Sequence, residues 1–255
     1  MKTYSFKVIG AERKVIAQIV ATATNQAATY AGPPSFAYEI GTIVIDRGGM
    51  ITAPIDNALE NILRSLKESK VTPEGHATIT ISMGEHTGVS LRNLVNSIYS
   101  KDILLQKALD KNEPLLPAKL LEIINAVRLE ETEDFKECIK EAGTGGLKFD
   151  FENMTISFNF YNATMEIDEV KTYLTFSTLL EAQAIKQKYT SFIQKKVEND
   201  KYAMRCWLLR LGMIGAEYKV ERKILLERLT GNCSFKTEES LQTAIAKRKT
   251  EESIH

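Results

Sequence analysis

Two groups of residues in this chain have types and spacing that could support chemistry. The first is the loop Gly84-Glu85-His86-Thr87-Gly88, which holds one of only three histidines, the others being His76 and His255. A catalytic use would have Glu85 orient His86 as a general base. Alternatively, Thr87 would touch a phosphate beside the free N–H groups that open the next helix. A lone histidine without an evident nucleophile or second base favours a plainer reading, a polar connector whose glycines serve the turn. Glu85 and His86 are the catalytic candidates, and the sequence offers none stronger.

The second group lies in the segment KYAMRCWLLRLGMIGAEYKVERKILLERLTGNCSF, from Lys201 to Phe235. It carries seven basic residues, Lys201, Arg205, Arg210, Lys219, Arg222, Lys223 and Arg228, against Glu217, Glu221 and Glu227, in a chain whose 33 basic and 33 acidic side chains cancel. With no global field to hold a polyanion, any such binding has to come from a local patch. On a helix over 216–229, Lys219, Arg222 and Lys223 fall on adjacent turns and form one face for a phosphate or an acidic protein, with Arg205 and Arg210 on the preceding helix. The bland reading pairs these bases with the three glutamates as an ordinary solvated face. Trp207, the only tryptophan, sits at helical spacing with Met204, Leu208 and Leu211 and is expected in the core rather than on a stacking surface.

Other chemistries lack their residues. Zinc needs converging histidine or thiolate ligands, and neither an HExxH helix nor a Cys/His cluster is present. The turn Asp46-Arg47-Gly48-Gly49 lacks the further acids of a calcium loop, so no metal site is expected. Gly143-Thr144-Gly145-Gly146 follows a helical, acidic stretch and has no GK[ST] ending, which reads as a linker and not a phosphate loop. No serine stands in a GxSxG turn, and no cofactor is expected. Cys138, Cys206 and Cys233 are odd in number and widely spaced, which suits free thiols and a reducing cytoplasm. No window holds the roughly 18 apolar residues that a membrane helix requires.

The elements that must position these residues follow from periodicity. With 255 residues and 44% apolar content the chain can bury a large core, or two unequal ones. Tyr4, Phe6 and Val8 alternate as in a half-buried strand. Helical spacing over 11–24 gives way to strand-like pieces at 28–31, 36–45 and 50–52, the last two joined by a hairpin turn at 46–49. A helix over 56–70 carries Leu59, Ile62, Leu63 and Leu66, and a strand over 77–83 follows. This is an α+β protein whose N-terminal block, residues 1–86, runs β-α-β-β-β-α-β. The α-β-β-β-α order inside it matches a double-stranded RNA-binding module, although the helix over 56–70 lacks the opening lysine cluster of such modules.

Residues 87–163 read as a helical segment with Ser90 as N-cap, prolines at 114 and 117 interrupting it, and a β-hairpin near Glu152-Asn153. Residues 164–231 read as a C-terminal helical domain. Its first helix, over 165–197, would reach roughly 50 Å at 1.5 Å per residue. A helical hairpin bent at Gly212 to Gly215 completes it. Residues 232–255 are polar and read as a flexible tail.

Two stretches resemble the virulence-related, or virulence-associated, proteins carried by prophages and conjugative elements of Gram-positive bacteria. The block KYAMRCWLLRLGMIGAEYKVERKILLERLTGN is similar to the family's C-terminal signature. Ala28 to Tyr38, ATYAGPPSFAY, followed by Ile45-Asp46-Arg47-Gly48, is similar to a second conserved stretch, and GVSLRNLVNSIYSKDILLQKAL from Gly88 is family-like too. The resemblance implies an accessory protein of a mobile genetic element that binds a host or element-encoded protein or ribonucleoprotein. Inhibition of a host defence, in the manner of an anti-CRISPR protein, is within that range. The alternatives are a nucleic-acid-binding regulator acting through the basic patch, and an RNA- or nucleotide-processing enzyme acting through Glu85 and His86.

Overall fold

The computed structural model describes residues 2–237, 239–244 and 246. The first strand, β1 (Thr3–Ile9), lies in the middle of a single eight-stranded sheet, because both its edges are hydrogen-bonded. Helix α1 (Arg13–Thr24) follows. Four strands, β2 (Thr29–Tyr30), β3 (Tyr38–Ile40), β4 (Ile43–Ile45) and β5 (Met50–Pro54), then lead to α2 (Asn57–Glu68) and the long β6 (Thr72–Ser82). The expected strand over 36–45 is therefore two strands. Gly41, at φ +57°, folds it into a tight turn, and the expected β-α-β-β-β-α-β order gains a strand. The hairpin turn at 46–49 forms as expected. Asp46 accepts from Gly49 N–H through its carbonyl and from Met50 N–H through its side chain.

Helices α3 (Gly88–Tyr99), α4 (Asp102–Ala108), α5 (Ala118–Ala126) and α6 (Thr132–Ala142) come next, then the hairpin β7 (Leu147–Asp150) and β8 (Thr155–Asn162). That hairpin does not stand apart from the N-terminal block: β8 pairs with β6, giving the strand order β2-β3-β4-β5-β1-β6-β8-β7. The boundary expected at residue 86 thus falls inside one sheet, and its buried side chains belong to the same hydrophobic cluster as those of the C-terminal helices.

Register explains the two faces of the sheet. Tyr4 lies opposite Ala53 and Ile79, Phe6 opposite Ile51, and Ile79 opposite Phe158, so these buried side chains share one face, which the helices cover. The middle of the other face carries half-buried hydroxyls. Ser5 bonds to Thr52 at 3.0 Å and Thr80 to Ser157 at 2.8 Å.

Helix α7 (Ile167–Lys186) packs on β6 and against α2, α3, α8 (Asp200–Leu211) and α9 (Lys219–Leu226). At 1.5 Å per residue it is about 30 Å long, not the roughly 50 Å that periodicity suggested. Two buried asparagines on α3 stop it. Asn93 donates to the Gln187 carbonyl at 2.6 Å and accepts from Thr190 N–H at 3.0 Å, and Asn96 donates to the Thr190 carbonyl at 2.9 Å. Residues 187–199 therefore leave the helix as an extended strap along α3. Gln194, reaching the Tyr99 carbonyl at 3.1 Å, holds the strap further on.

Helices α8 and α9 form the expected hairpin. Gly212, at φ +107°, ends α8 in a left-handed cap that a side chain would strain. Trp207 is buried and meets the Phe176 ring of α7 edge-on, centroids 5.5 Å apart. The expected tail begins later than residue 232. Asn232 accepts from Ser234 and Phe235 N–H, and Asn199 donates to the Phe235 carbonyl at 2.7 Å, so residues 232–237 are tied to the body. Residues 239–244 are helical, and the expected tail over 247–255, with His255, lies outside the described residues.

Candidate functional site: a basic cleft

The loop with Glu85 and His86 does not bring those two side chains together. Glu85 is exposed, whereas the His86 imidazole is buried beneath α3 and α7. Thr87, not Ser90, is the N-cap of α3, and Ser90 completes a reciprocal capping box with it. Ser90 Oγ lies 2.8 Å from His86 Nδ1, and His86 Nε2 faces Glu181 Oε1 of α7 at 3.6 Å, without a hydrogen-bond partner. Gly84, at φ +59°, makes room for that carboxylate, since a Cβ there would lie 3.1 Å from Glu181 Oε1. Burial lowers the His86 pKa to about 4, and burial likewise raises that of Glu181. The imidazole is neutral at pH 7 and its contacts are all internal, which suits a structural core and not a general base facing substrate.

The basic face expected on α9 is also only partly free. Arg222 is half-buried and donates to the Met213 carbonyl at 2.8 Å and the Gly215 carbonyl at 2.9 Å, bracing the α8–α9 connector. Lys219 and Lys223 are exposed, Arg205 is half-exposed, and Arg210 is exposed near the end of α8.

Arg210 leads to the site. It lines a cleft of about 690 Å³ with Lys101 and Lys107 around α4, Lys195 and Lys196 of the strap, and Lys236 beyond α9. Six basic side chains face two acidic ones there, Glu198 and Asp200. Asp200 is already committed. It accepts from Lys107 Nζ at 2.6 Å and from Thr230 at 3.4 Å, a bridge that joins α4 to α8 across the cleft wall. Asp102, one residue past Lys101, points inward and accepts the Leu115 N–H at 2.9 Å, so it does not neutralise the cleft. Burial lowers the Lys101 pKa, and the nearby positive charges of Arg210 and Lys195 lower it further. Cations from four separate parts of the chain are crowded together with too few anions among them.

The uncharged lining is mixed: Ser100, Gln194, Asn199 and Thr237 are polar, and Ile103, Leu104, Val197, Ala203 and the ring of Tyr202, whose hydroxyl contacts the Cys206 thiol one turn on, supply an apolar part. Ile103 is 51% exposed, so its side chain offers apolar surface to the cleft. The strap forms one wall, so Asn93 and Asn96 position Lys195 and Lys196 from a distance. Periodicity passed over these residues. The signals were the polar run Gln194-Lys195-Lys196 and two asparagines beside the apolar stripe of α3.

No group of three or more histidine, cysteine or acidic residues able to hold a metal is present among the described residues, and no helix among them is long and apolar enough to cross a membrane. No family model, curated protein or solved structure matches the chain.

Proposed function

We propose that this protein acts by binding, as an accessory protein of a mobile genetic element whose basic cleft grips the phosphates of a nucleic acid, free or within a ribonucleoprotein. The observation that carries the reading is the convergence of Lys101, Lys195, Lys196, Arg210 and Lys236 on one cleft where, among the described residues lining it, Glu198 is the one acid not already paired. Crowded, partly desolvated cations are costly unless a multivalent anion joins them, and a phosphate chain supplies charge at regular spacing. The mobile-element setting rests on the resemblance of the Lys201 to Asn232 block.

The test is binding of the purified chain to short DNA and RNA oligonucleotides across a salt series. Four net positive charges predict a log–log salt slope of about −3 on single strands. Lys101→Ala, Lys195→Ala and Arg210→Ala combined should abolish binding while leaving the fold intact, as shown by unchanged Trp207 emission. Retention of affinity by that variant would overturn the site, and a salt-insensitive partner recovered instead would show protein recognition.

A further inference from the structure

The shape of the cleft says more about its ligand than its charge does. A phosphate grip on duplex DNA needs a basic surface that tracks the backbone and has no use for an apolar floor, since such interfaces are polar and strongly positive. Here the cations alternate with Ile103, Leu104, Val197 and Ala203, and Tyr202 presents a ring to the same space. The volume, about 690 Å³, falls within the range of sites that enclose most of a small organic molecule. Walls stand on several sides: the start of α4, the strap, α8 and residues 236–237. A concave site that combines an aromatic, apolar lining and several cations fits a base together with its phosphate, the chemistry by which proteins hold single strands.

Resting on the nucleic-acid reading above, we infer that the cleft admits one unpaired nucleotide unit, its base against Tyr202, Ile103 and Val197 and its phosphate at Lys101, Lys195 and Arg210, so that the protein selects single strands over duplex. Tyr202 is suited to the stacking role. It lies on α8 between two positioned groups, Asn199, which caps the helix by accepting the Tyr202 N–H at 3.0 Å, and Cys206, which meets its hydroxyl. The Lys107–Asp200 bridge below it holds α4 and α8 at a set separation. Lys195 and Lys196 arrive on a strap whose path is dictated by Asn93 and Asn96 and not by the ligand. The backbone that carries Lys195 and Lys196 is therefore placed before a nucleotide enters, which lowers the ordering cost of binding.

The experiment is fluorescence anisotropy of the full chain with a 3′-labelled 12-nucleotide single strand, as DNA and as RNA, and with the blunt duplex of the same sequence. Single strands should bind at least about tenfold tighter than duplex. A nucleoside 5′-monophosphate should compete, whereas inorganic phosphate or the unphosphorylated nucleoside at the same concentration should not. Tyr202→Ala should weaken single-strand binding about tenfold or more and leave duplex binding unchanged, and Tyr202→Phe should restore it, as base stacking requires a ring but not a hydroxyl. Equal affinity for both forms with no effect of Tyr202→Ala would overturn the inference. The Lys101, Lys195 and Arg210 dependence would then still stand for a general phosphate grip. Absence of binding to any nucleic acid, with Trp207 emission showing a folded chain, would overturn both readings.

Discussion

His86 shows how burial alone can turn a residue that looks catalytic into a structural one. Its side chain is fully buried, with Ser90 on one nitrogen and Glu181 facing the other, and burial lowers its pKa to about 4. In an unfolded chain the imidazole titrates near 6.5, so below that pH the unfolded state takes up a proton that the folded state refuses. Stability should therefore fall from about pH 6.5 and stop falling near pH 4, by about 3 kcal/mol at most. Glu181 works in the opposite direction, because burial raises its pKa and the folded state protonates it first, which offsets part of the loss at the acidic end. His76, also lowered by burial and by Lys111, adds to the loss. Urea midpoints at pH 7, 6 and 5 for the wild type and for His86→Gln isolate the effect. The variant should show the flatter profile, and identical profiles would mean that His86 is not held neutral.

At the scale of elements the decisive interactions are the side-chain amides of α3. The helical spacing of Val170, Tyr173, Phe176, Leu180 and Ala184 was legible, and all five are buried on α7. The end of that helix was not legible, because its stop signal is not local. Nothing at Gln187 forbids helix; Asn93, 94 positions away in sequence, captures the carbonyl. Asn93→Leu keeps the branched outline of the side chain but leaves the Gln187 carbonyl and the Thr190 N–H without their partner. Each buried group so orphaned costs about 1 to 3 kcal/mol. The variant should lose about 2 kcal/mol or more, and its strap should become open to trypsin at Lys188 and Lys195 while the rest of the chain resists. Faster exchange of the Thr190 amide would report the same event, and an unchanged digest would show that other contacts hold the strap. Gly212 presents the contrasting case, a stop written locally in the sequence, and the bend it marks is where the spacing of apolar residues put it.

Across the whole molecule, one sheet joins strands from residues 3–82 to the hairpin at 147–162, and one hydrophobic cluster joins both to the C-terminal helices. Unfolding should therefore be a single cooperative event. Trp207 emission, which reports the α7–α8 contact, and far-ultraviolet circular dichroism should give the same thermal midpoint. Two separated transitions would show that the C-terminal helices detach as a unit. What the sequence determined by itself was the α+β class, the inward side of β1, the apolar stripe of α2, the turn at 46–49 and the burial of Trp207, because burial side and turn geometry are encoded by residues a few positions apart. Which strands pair across the chain, where the strap leaves its helix, and the cleft built from α4, the strap, α8 and residues 236–237 were decided by the tertiary structure alone. Periodicity tells a residue which side to bury but not which distant partner will meet it. The charges of the cleft lie far apart in a chain of zero net charge, and they form one field only when folding brings them together.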